Sequence, residues 1–165
     1  MQRLLVIGSP GAGKSTLARA LAARTGLPLV HLDQLHWLPG WTERNRDESR
    51  AELARVLAQD RWIIDGNYGS ILAMRLARAD TVVWLDYPTR LCFWRVLKRW
   101  WRYRGTNRPD MTKGCPERLD PEFLWYVLTF RSAWQGRNAA LLDGFQGNIV
   151  RLQATAATRR WLDGL

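Results

Sequence analysis

Gly8-Ser9-Pro10-Gly11-Ala12-Gly13-Lys14-Ser15 follows the apolar run Leu4-Leu5-Val6-Ile7 and leads into Leu17, Ala18, Leu21 and Ala22 at helical spacing. The eight residues match G-x-x-x-x-G-K-[ST], and they sit between a strand and a helix as that motif requires. Its glycines let successive backbone N–H groups converge on phosphate oxygens where a β-carbon would intrude. The helix that begins at Lys14 turns its positive end to the same point. The pattern assigns nucleotide contacts to Gly8, Ser9, Pro10, Gly11, Ala12, Gly13, Lys14, Ser15 and Thr16. Lys14 is the expected catalytic cation on the β- and γ-phosphates, and the Ser15 hydroxyl the expected Mg²⁺ ligand. The expected ligands are ATP and Mg²⁺.

Working outward, further strands are expected over 29–32, 62–64, 81–85 and 148–152, ending in turn near Asp33, Asp65 and Asp86 for the first three. Helices are expected over 14–24, 43–58, 69–78 and 89–103, from Asp120 to about Leu142, and at the end of the chain. Asp120-Pro121-Glu122 supplies a capping oxygen, a first-turn proline and an acid beside the dipole. Strands alternating with helices predict an α/β fold, a three-layer sandwich around a five-stranded parallel sheet. The segment 104–119, rich in Gly, Pro and charge, reads as a mobile loop or lid on one domain spanning 1–165.

Composition narrows the class. With 47% hydrophobic and 24% charged residues the chain is no disordered polypeptide. No apolar run approaches the roughly 18 residues of a membrane span, and the N-terminus lacks the pattern of a signal peptide. Cys92 and Cys115 show no Cys-x-x-Cys spacing, which fits a cytoplasmic protein without a disulfide framework or zinc site. Net charge is +10, carried by 25 basic residues of which only Lys14, Lys98 and Lys113 are lysines. That excess suits polyphosphate ligands, nucleic acid or an anionic surface. Ten tryptophans could signal base stacking, but core packing is the expectation for most of them.

Asp65, followed by Gly66, is the better candidate for the metal-side carboxylate than Asp86, because a ligand can approach the backbone closely at a glycine. With GSPGAGKST (8–16), WIIDGNYG (62–69), DTVVWLDYP (80–88) and LCFWRVLKRW (91–100) in view, the chain resembles the adenylate kinase-like P-loop kinases over nearly its whole length. Within them, HLDQLHWLPGW (31–41) and DGNY (65–68) make it most similar to the bacterial DNA topology modulation proteins, described as nucleotide or nucleoside kinases. The resemblance implies the sheet order 2-3-1-4-5, strands numbered along the chain, with the Asp65 strand beside the phosphate-loop strand. It also implies that Arg95 packs on the adenine and that Arg99, one helical turn on, clamps phosphate.

The segments in which adenylate kinases carry arginines for the acceptor phosphate read differently here, as Asp33-Gln34-Leu35-His36-Trp37 and Asp65-Gly66-Asn67-Tyr68-Gly69. Arg75 or Arg44 could substitute. Asp33 is the expected base or orienter of an acceptor hydroxyl. His36, Trp37, Trp41 and Tyr68 would wall the acceptor site, with Asp65 beside it. His31 reads as structural. Of the arginines on the lid and the next helix, Arg131 and Arg137 are expected at the transferring phosphoryl group. The leading expectation is therefore an ATP-dependent phosphotransferase acting on a small acceptor, a nucleoside or nucleotide, as a monomer or homodimer without membrane attachment. Two alternatives stay open: a nucleic-acid-binding or regulatory ATPase, and a small-metabolite kinase similar to shikimate or gluconate kinases.

Overall fold

A computed structural model describes residues 1–165, the side chain of Gln135 excepted. Five strands form one parallel sheet: β1 (Arg3–Gly8), β2 (Leu29–His31), β5 (Trp62–Asp65), β6 (Thr81–Leu85) and β7 (Asn148–Leu152). Their order, β2-β5-β1-β6-β7, is the expected one once a short hairpin, β3 (Trp37–Leu38) with β4 (Thr42–Glu43), is set aside. The helices are α1 (Lys14–Thr25), α2 (Leu32–His36), α3 (Arg46–Leu57), α4 (Leu72–Leu76), α5 (Thr89–Tyr103), α6 (Pro121–Asp143) and α7 (Thr155–Asp163).

The central strand explains the layering. Side chains alternate along a strand, so Leu4 and Val6 face one side of β1 while Leu5 and Ile7 face the other, and all four are fully buried. The first face packs on Leu17, Ala18 and Leu21 of α1, with Trp161 and Leu162 of α7 against it. The second packs on Leu53 of α3, Leu72 of α4, and Phe130 and Trp134 of α6. A sheet buried on both faces reads in sequence as continuous apolar runs, as 4–7 and 62–64 do.

Local chemistry sets the helix ends. Asn45 accepts from the Asp47 N–H at 2.8 Å and Asp120 from that of Glu122 at 2.9 Å, so each satisfies an orphan donor of the first turn. Two elements differ from expectation. The second strand ends at His31, and Asp33 lies in the first turn of α2 rather than at a strand tip. The hairpin 37–43 occupies the approach to α3, its turn closed by Gly40 and Trp41, both with positive φ (77° and 60°).

The 104–119 segment is folded against that hairpin. Gly40 N–H donates to the Gly114 carbonyl (2.8 Å) and the Thr112 hydroxyl to the Trp37 carbonyl (2.6 Å). The Trp41 indole donates to Pro116 (3.1 Å) and the Cys115 thiol to Leu38 (3.2 Å). Core packing accounts for fewer tryptophans than expected: Trp62, Trp84, Trp134 and Trp161 lie in or against the core, while Trp94, Trp101 and Trp125 are exposed. No helix among the described residues is long and apolar enough to cross a membrane.

Candidate functional site

The phosphate-loop sequence folds as its glycines dictate. Gly11 has φ +81°, and a β-carbon there would lie 2.3 Å from the Cys92 carbonyl oxygen, so the loop can pass over α5 only as glycine. Gly13 also has positive φ, but the space its β-carbon would enter is open within 4 Å. That open space lies at the uncapped N-terminus of α1, where unpaired N–H groups and the helix dipole favour an anion. Lys14 Nζ donates to the carbonyls of Gly8 (3.0 Å) and Ser9 (3.1 Å) and has no ion-pair partner among the described residues. Burial pushes the pKa of its ammonium down, against the upward pull of Asp65 and Asp33. A desolvated cation over an open glycine cradle fits a polyphosphate. Pro10 to Thr16 line the cleft, whereas Gly8 and Ser9, expected as contacts, lie behind it and supply the carbonyls that Lys14 meets.

Across the cleft, Asp33 accepts from the Tyr68 hydroxyl at 2.8 Å. Burial and the Asp33 carboxylate raise the Tyr68 pKa, so the phenol remains a donor at ordinary pH. Tyr68 holds a strained φ of +29°. The strain is held by Arg75, whose side chain is fully buried and donates to the carbonyls of Gly66 (2.9 Å), Asn67 and Tyr68 (3.1 Å). Arg75 was expected at an acceptor phosphate; its guanidinium is spent instead on the loop that carries Tyr68. His36 is also displaced from its expected role. It sits behind the wall, its ring 4.8 Å from Trp37 and 4.9 Å from Tyr68 by centroids, while Trp37, Trp41 and Tyr68 face the cleft.

Register places Asp65 opposite His31 on β2 and Val6 on β1. His31 Nδ1 and Asp65 Oδ2 are 2.6 Å apart, so His31 fixes one oxygen of the carboxylate at the cleft. Asn67, which the sequence reading passed over, donates to the Gly8 carbonyl (2.8 Å) and accepts from its N–H (3.1 Å). This paired amide ties the Tyr68 loop to the start of the phosphate loop, and a polar residue two after a strand-end carboxylate was its only signal in the sequence. Ser15 and Asp65, the expected metal-side pair, both lie on the cleft. Asp110 of the 104–119 segment lines the cleft as well.

On α5, Arg95 donates to the Ala12 carbonyl (3.3 Å) and the Thr155 hydroxyl (2.7 Å), with its guanidinium 5.2 Å above the Tyr87 ring. Tyr87, Thr155, Thr158 and Leu162 extend that wall, and none of them was legible as a site residue. Arg99 faces the cleft one turn further along and donates to Glu117 (2.9 Å). Arg131 and Arg137 do not line the cleft. Arg131 pairs with Asp86 at 3.2 Å, and Arg137 caps a carbonyl of its own helix, Ala133, because α6 turns both away. The whole cleft has a volume of about 930 Å³ and is lined by nine cationic and five acidic side chains. An excess of positive charge in one concave site concentrates anionic ligands there.

Comparison with known proteins agrees with this geometry. The sequence profile described as ATPase family associated with various cellular activities (AAA) matches residues 4–64, the stretch holding the phosphate loop and β5. No curated protein matches the chain. Among solved structures, shikimate kinase from Bacteroides thetaiotaomicron is similar with a TM-score of 0.58 at 19% identity, covering 99% of this chain and 95% of the other. Shikimate kinase from Acinetobacter baumannii in complex with shikimate gives 0.60 at 18% identity, covering 99% and 90%. The fold is therefore the α/β sandwich around a five-stranded parallel sheet that it shares with these shikimate kinases.

Proposed function

We propose that this chain is an ATP- and Mg²⁺-dependent kinase that transfers a phosphoryl group to a hydroxyl of a small planar acceptor, a nucleoside or nucleotide. The observation that carries the reading is the shared cleft. The phosphate loop lies on one side, and a carboxylate held by a tyrosine, Asp33 with Tyr68, lies on the other. Aromatic side chains of Trp37 and Trp41 beside Asp33 suit a flat acceptor. The motifs shared with the DNA topology modulation proteins support the same choice.

Bound Mg²⁺ and ATP supply an electrophilic phosphoryl group with part of its charge neutralised. Ser15 and Asp65 would hold the metal ion, and Lys14 with the loop N–H groups would hold the polyphosphate. Arg95 would pack on the base. Asp33 orients the acceptor hydroxyl and takes its proton late, as the oxygen–phosphorus bond forms, since phosphoryl transfer proceeds through a loose transition state. Tyr68 fixes the Asp33 carboxylate by donating to one of its oxygens. Arg99, which lines the same cleft, would meet the charge that builds on the transferring group.

The test is ATP-to-ADP turnover with Mg²⁺ across nucleosides, nucleoside monophosphates and small hydroxy acids including shikimate, with single- and double-stranded DNA as separate additions. One small acceptor should raise turnover well above background, and Lys14→Ala and Asp33→Asn should each abolish the increment. A competing reading, an ATPase stimulated by nucleic acid, draws on the exposed Trp94 and Trp101 of the basic α5. Stimulation by DNA alone, unaffected by Asp33→Asn, would replace the kinase with that reading.

A further inference from the structure

Glu117 is a buried carboxylate with no part in the site as assigned so far; its side chain is 5% exposed. It lies in the 104–119 segment and lines the cleft. Its backbone is fixed from both sides: its own N–H donates to the Thr106 carbonyl (3.0 Å), and the preceding carbonyl, of Pro116, accepts from the Trp41 indole (3.1 Å). Its two oxygens are divided between two arginines. Arg99 Nε donates to Oε1 at 2.9 Å, and Arg108 Nε pairs with Oε2 at 2.6 Å.

A carboxylate that meets a guanidinium at Nε leaves the terminal nitrogens to other partners. In Arg99 those nitrogens make no hydrogen bond among the described residues, and in Arg108 one pairs with Asp110 at 3.2 Å. Both arginines are largely buried and both line the cleft that holds the phosphate loop. Burial and the charge of Arg108 lower the pKa of Arg99, and Glu117 counters them. Two like charges this close need a shared anion to stay side by side in a desolvated site. With Arg19 also beside Asp110 (3.7 Å), three guanidiniums share two carboxylates, Glu117 and Asp110, and the cluster keeps a net positive charge for a ligand.

We propose that Glu117 is a positioning residue, a single buried carboxylate that holds Arg99 and Arg108 abreast so that their terminal nitrogens meet the phosphoryl group in transfer. This rests on the phosphotransfer reading above. It assigns Glu117 no contact with substrate: it acts through the two arginines, and its removal should affect transition-state binding more than ground-state binding.

The experiment is calorimetric titration with MgADP alone and with MgADP plus aluminium fluoride, a mimic of the transferring phosphoryl group that needs no knowledge of the acceptor. The wild type should bind the fluoride complex more tightly than MgADP. Glu117→Gln should bind MgADP within about threefold of wild type yet lose that increment by tenfold or more. In an Arg99→Ala, Arg108→Ala background, Glu117→Gln should change nothing further. If the Gln variant does not fold, Glu117→Asp serves: the charge is kept one methylene short, so the increment shrinks while MgADP affinity holds. An increment absent from the wild type or retained in the Glu117 variants overturns the proposal, as does a parallel loss of MgADP affinity, which marks a purely structural role. A wild type that binds no MgADP overturns the phosphotransfer reading itself and the proposal with it.

Discussion

Arg75→Met separates a buried brace from a substrate contact. The guanidinium donates to the carbonyls of Gly66, Asn67 and Tyr68. Hydrogen bonds to charged groups contribute roughly 1.5–3 kcal/mol each, so three amount to roughly 5–9 kcal/mol. Against this stands desolvation, which lowers the Arg75 pKa from 12.5 to about 10, a cost of about 3 kcal/mol at 1.36 kcal/mol per pKa unit. The brace should therefore stabilise the fold by roughly 2–6 kcal/mol. Methionine fills much of the volume but leaves the three carbonyls without their donor. With a urea m-value of about 2 kcal/mol/M, a loss near 3 kcal/mol lowers the unfolding midpoint by roughly 1.5 M. Arg75→Lys, a point charge without the planar fork, should recover less than half of that. Urea unfolding followed by tryptophan fluorescence measures both. A substrate contact would behave in the opposite way: Arg75→Met would raise the acceptor KM and leave stability unchanged or improved. A stability change under about 0.5 kcal/mol would refute the brace.

Four further outcomes are expected. Gly11→Ala must accommodate both a positive φ and a β-carbon 2.3 Å from the Cys92 carbonyl, so it should lose roughly 2–5 kcal/mol and melt about 5–15 °C lower. Gly13→Ala, strained only by φ, should lose about 1–2 kcal/mol yet abolish nucleotide binding, as calorimetry with MgADP would show. Tyr68→Phe removes the 2.8 Å hydrogen bond to Asp33 and should lower acceptor-dependent kcat/KM by roughly 10- to 100-fold, with ATP affinity unchanged. For Asp110, burial pushes the carboxyl pKa up, but the Arg108 guanidinium 3.2 Å away outweighs it and holds it below the ordinary 3.8. A carboxyl depressed in the folded state gives stability that is present above its unfolded pKa and lost as pH falls through the folded one. Urea midpoints measured between about pH 5 and pH 3 should therefore fall less steeply in Asp110→Asn than in the wild type.

The fold was legible where the physics is local. The run 4–7, the glycines of 8–13 and the helical spacing after Lys14 are decided within a few residues of one another, and the apolar strands 62–64 and 81–85 follow from burial on both faces. Sheet order came from the resemblance and matches the structure. Direction was harder to read than position. Arg75 lies beside the 66–68 loop, but nothing in the spacing says that its guanidinium turns inward to three of that loop's carbonyls. Arg131 and Arg137 lie on a helix whose rotation about its own axis is set by Phe130 and Trp134 packing into the core. The hairpin at 37–43 depends on positive φ at Trp41, a conformation that tryptophan rarely adopts and that the contacts to 112–116 sustain. Glu117 was hidden because an acid among Gly, Pro and Arg reads as a solvated loop residue. Its partners Arg99 and Arg108 meet it only in three dimensions.

The four hydrogen bonds joining 37–41 to 112–116 also bear on how the cleft can move. At about 0.5–1.5 kcal/mol each, parting the two segments would forfeit roughly 2–6 kcal/mol before any ligand is released. A swing that keeps them joined forfeits none of this. Mechanically, then, the tryptophan wall and the carboxylate gripping Arg99 and Arg108 belong to one casting, and whatever displaces one displaces the other.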